Sequence, residues 1–200
     1  MLLGSYEVVN TGEEPLDWNH QPFANVDSRD STDVLLRTTQ QSLVQYSLMA
    51  DNKANIMITV SSIVLSISLS QSGNSPHKWP LVIICISALF ALILAILAVL
   101  PTIAYPKDVN GKPNLNSPSF NLLYFGHFSK LSEQTFQSEL ERITASSSDL
   151  YVTIAKDIHA HAKVLVEKKY LYLRWSYISF LCGAGVGAIA FVVEAVVGIS

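Results

Sequence analysis

"LVIICISALFALILAILAVL", residues 81–100, is an unbroken uncharged run bracketed by Pro80 and Pro101. About 20 apolar residues of helix cross a hydrocarbon core of about 30 Å, so the run reads as a transmembrane helix. Composition agrees with a membrane protein. Apolar residues make up 50% of the 200 positions and charged residues 14%, with a mean hydropathy of +0.32. A soluble domain carries about 25% charged residues.

Two further runs flank this one. Residues 176–193 are uncharged, with Glu194 interrupting the run near its far end. Upstream, "MADNKANIMITVSSIVLSISLS", residues 49–70, opens on Asp51 and Lys53 and then carries no charge from 54 to 72. Its hydroxyls at Thr59, Ser61, Ser62, Ser66, Ser68 and Ser70 are tolerable in lipid, because helical Ser and Thr bond their own backbone carbonyls. The expected fold is all-α: an integral membrane protein with three transmembrane helices, at 54–72, 79–101 and 175–198. Residues 33–53 are expected to form a cytoplasmic helix and 102–174 a small cytoplasmic helical region. Residues 1–32 are mixed, acidic and turn-rich. They read as a flexible tail, since a signal peptide needs a basic front and an apolar middle. Cys85 and Cys182 both fall inside spans, which implies no disulfide.

Charge asymmetry gives the orientation. Of the 13 Lys and Arg residues, all but Lys78 precede the first span or separate the second from the third. Basic residues stay cytoplasmic, so the amino terminus is expected inside and the carboxyl terminus outside. Aromatic anchors fit this reading: Trp79 at the outer edge of span two and Tyr105 at its inner edge. Tyr170, Tyr172, Trp175 and Tyr177 lie beside Lys168, Lys169 and Arg174 at the inner edge of span three.

Within 33–53, Asp33 is a possible N-cap, and Val34, Val44 and Leu48 roughly align on one helix face. After span two comes a loop broken by Pro106, Gly111, Pro113 and Pro118. A helix is expected from near Ser132, with a break and cap candidates at 146–149. From there Leu150, Ile154, Ile158 and Leu165 mark a helix that continues into span three. It covers about 50 residues, or about 75 Å at 1.5 Å per residue.

Enzyme motifs are absent from the sequence, and no cofactor is implied. "GAGVGA", residues 183–188, imitates a nucleotide loop, but such a loop follows a strand, and this one sits inside a span. Gly183 and Gly187 instead form a GxxxG pair suited to close helix approach. His159 and His161 stand two apart and diverge on a helix, so no metal site is read there. A net charge of −3 argues against nucleic acid as a partner.

Two features exceed simple anchoring. Asn55, Thr59, Ser62, Ser66 and Ser70 fall on one helix face. Such a stripe either packs against another helix or lines a water path. Glu194 shares a face with Gly183 and Gly187. A carboxylate in a span is a functional candidate, although this one is near enough to the end to reach headgroups.

Three blocks resemble the Pycsar transmembrane effector family. The first is "MADNKANIMITVSSIVLSI", with Ala50, Asp51, Lys53 and Ala54 in a signature leading into span one. The second is "NLLYFGHFSKLSEQTFQSEL", with Phe125 and Gly126. The third, "DLYVTIAKDIHAHAKVLVEKKYLYLRWSYISFLCG", ends at the last span. The resemblance implies a non-enzymatic effector of bacterial anti-phage defence in the cell inner membrane. The resemblance further implies a partner pyrimidine cyclase that makes cyclic CMP or cyclic UMP on infection, without required contact with the effector. The effector then impairs the membrane, and the infected cell dies in an abortive infection. Candidate ligand residues on this view are basic groups near aromatics: Lys53, His127, Lys130, Arg142, Lys168, Lys169 and Arg174. A homo-oligomer is expected, because three spans do not easily enclose a water path. Two rival readings are a membrane-tethered adaptor and a small constitutive channel or transporter subunit.

Overall fold

The computed structural model describes residue 23 and residues 30–72, 78–101, 106, 111–115 and 117–198. Tyr105, Ser200 and most of the 1–32 tail lie outside the described residues. The helices are α1 (Asp30–Ser72), α2 (Lys78–Val99), the single turn α3 (Phe125–Phe128), α4 (Glu133–Thr144), α5 (Ser147–Val164) and α6 (Leu171–Val197). A π-helical turn, Leu165–Tyr170, joins α5 to α6, so one rod of 51 residues runs from Ser147 to Val197. The fold is all-α, and among the described residues three helices are long and apolar enough to cross a membrane.

Local caps set the short helices. Ser132 Oγ accepts the Thr135 N–H at 3.2 Å to open α4, and Ser146 Oγ accepts the Asp149 N–H at 3.5 Å to open α5. Each cap satisfies a backbone donor that the first helical turn leaves unpaired.

Two expectations about α1 are corrected. The helix is already formed at Asp30, so Asp33 stands in its first turn and does not cap it. Its carboxylate instead accepts the Tyr151 hydroxyl at 2.9 Å. The aligned apolar residues also face outward: Val34, Val44 and Leu48 are 62%, 49% and 57% exposed. The inward seam follows a heptad. Leu36, Leu43, Ala50, Met57 and Val64 occupy one position of it, and Gln40, Ser47, Ala54, Ser61 and Ser68 the other, all buried or half-buried. A seven-residue repeat holds one seam toward a partner helix over many turns.

That partner changes along the length of α1. In the apolar half it is α2, which also packs against α6. The contact face of α2 is the stripe Ala88, Ala91, Ala95 and Ala98, none of them more than 4% exposed. Small residues suit this place. Lipid gives no hydrophobic drive between spans, so close approach and interhelical hydroxyl bonds hold them together. Ser176 Oγ donates to the Ala91 carbonyl at 2.7 Å, and Ser179 Oγ to the Ser87 carbonyl at 3.5 Å. Gly183 and Gly187 continue the α6 face. A Cβ on Gly183 would collide with Ser87, and one on Gly187 with Ile84. The GxxxG pair therefore joins two helices of one chain.

Candidate functional site

Beyond the end of α2, α1 meets α5 and the π turn directly. The two helices run parallel, and three polar rungs tie them. Tyr151 OH donates to Asp33 Oδ1 at 2.9 Å, Gln40 Nε2 to Asp157 Oδ2 at 3.0 Å, and Lys169 Nζ to Asp51 at 2.8 Å. The sequence separations are 118, 117 and 118, so the register is constant along the stalk. Polar groups at seam positions contribute less stability than leucines but fix which residues face each other.

The last rung lies at the lip of the spans. Lys169 Nζ is 2.8 Å from both carboxylate oxygens of Asp51 and 2.8 Å from Ser47 Oγ. An ammonium has three protons, and here three acceptors meet it. The side chains remain 23% and 34% exposed for Lys169 and Asp51. Asp51 thus pairs within its own chain, in the middle of a helix, and does not cap one. The π turn positions its partner. In an α-helix a step of four residues overshoots one turn by about 40°. The wider i→i+5 turn absorbs this, which keeps Leu165, Lys169 and Leu173 on the inward face. π turns are rare and occur mostly at functional sites.

The middle rung belongs to a larger node. Asn121 Nδ2 donates to Asp157 Oδ1 at 2.8 Å, and Asn121 Oδ1 accepts the Leu123 N–H at 3.0 Å. His127 Nδ1 accepts the Asn121 N–H at 2.9 Å. The buried imidazole lies between the rings of Phe120 and Tyr124, with centroids 5.4 Å and 5.0 Å away. His127 therefore pins the loop before α3 to the stalk.

The structure does not gather the expected ligand residues at one point. His127 is buried in the node, and Lys169 is held by Asp51. Lys53, Lys130 and Arg174 are exposed, and Lys168 is half-buried. Arg142 forms an ion pair with Glu139 at 2.9 Å and borders a cleft of about 110 Å³. Lys156 lines the same cleft, and burial lowers its pKa below the ordinary lysine value. Sequence reading missed Lys156, Asp157, Asn121 and Gln40, and only the parallel register of α1 and α5 brings the last three together. Of the signature residues, Ala50 and Ala54 are buried in the seam, Gly126 is buried beside His127, and Phe125 is 58% exposed. In span one, Asn55, Thr59, Ser66 and Ser70 are exposed and Ser62 is half-buried, so the polar stripe faces away from α2 and α6. Thr59 Oγ1 donates to the Asn55 carbonyl at 2.9 Å and Ser66 Oγ to the Ser62 carbonyl at 2.8 Å. Glu194 is half-buried toward the end of α6.

These elements define a membrane protein of three apolar helices, two of which extend beyond the spans as a parallel stalk. The family model described as the Pycsar effector protein domain matches residues 34–196, and the chain belongs to that family. Comparison with curated proteins and with solved structures gives no match. The matched segment covers the cleft, the ladder apart from Asp33, and nearly all of the three apolar helices. The chain is thus a Pycsar effector, and its helices fit a protein of the inner membrane.

Proposed function

We propose that this effector is switched by a cyclic pyrimidine nucleotide, cyclic CMP or cyclic UMP, made by a partner cyclase. Once switched, it impairs the inner membrane and brings on abortive infection without catalysing a reaction. The observation that carries this reading is the ladder: two helices extend without a break from the stalk into the spans in one fixed register. A ligand that alters the seam in the stalk moves α1 against α6 at the lip. The stalk is then cytoplasmic, as the basic residues require. Reporter fusions after residue 140 should be active in the cytoplasm, and fusions after residue 200 in the periplasm. The reverse pattern would remove the nucleotide from reach of the stalk.

The outward polar stripe gives the membrane step. On one chain it faces lipid, with the Thr59 and Ser66 hydroxyls bonded to the backbone. When several copies turn these faces together, the stripes form a wet lining. Each interhelical hydroxyl contact is worth about 0.6 kcal/mol on average, so the resting arrangement is held weakly. Moving such an equilibrium from 1:99 to 99:1 takes about 5.5 kcal/mol of differential binding, which several ligand sites per oligomer supply together. Ser62→Leu and Ser66→Leu proteins should insert normally. On cyclase induction their cells should exclude a membrane-impermeant dye that wild-type cells admit. Equal dye entry in these variants would refute a stripe-lined path. A tethering adaptor would admit no dye in any strain, and a constitutive channel would admit it without the cyclase.

A further inference from the structure

The cleft between α4, α5 and the loop before α3 is lined by Phe120, Asn121, Arg142, Ile143, Thr153 and Lys156, with Glu139 at its edge. Most of its polar groups are already engaged. The Asn121 amide bonds Asp157 and the Leu123 N–H. The Thr153 hydroxyl donates to the Asp149 carbonyl at 2.7 Å. Arg142 directs Nε and Nη2 at the same Glu139 oxygen, each at 2.9 Å, which leaves its other N–H groups unengaged. Lys156 differs from these. Among the described residues it makes no ion pair and no side-chain hydrogen bond, and desolvation lowers its pKa with no counter-charge to offset it. Lys156 stays exposed overall, so its ammonium stands at the rim of the cleft within reach of an incoming anion, which offsets the partial desolvation.

We propose that this cleft is the phosphate seat of the effector: Lys156 and Arg142 take the phosphodiester of a cyclic nucleotide. The assignment rests on the reading of function above. Size supports it. At about 110 Å³ the cleft is well below the roughly 300–1,000 Å³ of sites that enclose a whole small molecule. It admits the charged group and leaves the base outside. Glu139, at the cleft edge, offers a carboxylate acceptor for a ribose hydroxyl, a pairing that dinucleotide sites use. A lipid phosphate is the other source of such an anion, and distance disfavours it. Lys156 precedes Lys169 by 13 residues, which is about 20 Å of helix. The headgroup layer beyond the hydrocarbon core is only about 5–7 Å deep on each side. The cleft also adjoins the ladder, since Asn121 links its wall to Asp157.

The test uses full-length protein in nanodiscs of neutral lipid and of anionic lipid, titrated calorimetrically with cyclic CMP, cyclic UMP and inorganic phosphate. A charge-assisted hydrogen bond is worth about 1.5–3 kcal/mol. Lys156→Gln should therefore weaken nucleotide binding about 10- to 150-fold, and Arg142→Gln should weaken it in the same direction. Lys156→Arg should keep most of the affinity, and Lys163→Gln, exposed and outside the cleft, should change nothing. Lys156→Gln removes a charge that has no partner, so the fold should persist. Unchanged melting of that variant confirms this. If wild-type protein binds a cyclic nucleotide and Lys156→Gln binds it equally well, the cleft assignment is wrong and the functional reading stands. If wild-type protein binds neither nucleotide, the functional reading fails and the assignment with it. Nucleotide binding abolished by anionic lipid would place a lipid headgroup in the cleft and overturn the assignment.

Discussion

Bacteria producing the Asp51→Ala protein are expected to lose protection against phage while the protein reaches the membrane in wild-type amount. The substitution removes two of the three acceptors around Lys169 Nζ and leaves only Ser47 Oγ, 2.8 Å away. Hydrogen bonds to a charged group contribute about 1.5–3 kcal/mol, and 1.4 kcal/mol is a factor of ten in an equilibrium. Insertion should survive, because α1 retains its apolar run and its packing on α2. What is lost is the rung that fixes α1 against α6 where both enter the membrane. Lys169→Met should behave alike. The exchange Asp51→Lys with Lys169→Asp restores an opposite-charge pair at the same place, and it should recover protection that neither single change retains. Phage plating efficiency reads the effect and membrane fractionation reads the insertion. Undiminished protection by Asp51→Ala would show that the rung carries no signal.

The second large effect is expected at Gly183. Overpacking a close-fitted contact costs about 1–3 kcal/mol, and for a protein of this size each kcal/mol moves Tm by about 2–4 °C. Gly183→Ala should melt several degrees below wild type in detergent. Gly187→Ala should lose less. The atoms that a Cβ at 183 meets are Oγ and Cβ of Ser87, which are close to the backbone and have little freedom to withdraw. At 187 the obstacle is Cγ1 and Cδ1 of Ile84, a β-branched side chain stiff at χ1 whose Cδ1 end can still turn about χ2. Adding Ser87→Gly to Gly183→Ala should return part of the loss. Wild-type melting of Gly183→Ala would mean that α2 and α6 do not approach as closely as described. Because the contact lies within one chain, Gly187→Leu is also expected to fail by parting α2 from α6 before any assembly between copies.

Much of this architecture was legible in the sequence. An uncharged run between two prolines has one physical reading, and Ser132 and Ser146 announced the helices that they cap. The choice of helix face was not legible. In lipid the partner helix is no more apolar than the solvent, so polarity does not mark the inward side. The stripe of Asn55, Thr59, Ser62, Ser66 and Ser70 was the visible feature, yet the seam uses Ala54, Met57, Ser61 and Ser68, selected by size and by a seven-residue period. In the stalk the usual rule misled. Val34, Val44 and Leu48 face out because Asp33, Gln40, Ser47 and Asp51 find partners on α5 and the π turn. Those partners lie 117–122 residues away, beyond what local periodicity reports. "LVEKKY" carries no glycine or proline to signal a π turn; its register follows from the tertiary contact of Lys169. Lys156 is an exposed helix lysine, and only the fold brings the loop and α4 beside it.

The central claim is that a cyclic pyrimidine nucleotide meeting the stalk opens a path through the spans. Planar-bilayer recording of the purified full-length protein tests it without cyclase, phage or other proteins. The membrane should be silent at rest and conduct when cyclic CMP or cyclic UMP is added to the face that carries the stalk. Asp51→Ala and Ser66→Leu proteins should give no such conductance. A membrane that stays silent with both nucleotides, or one that conducts equally without them, would contradict the account.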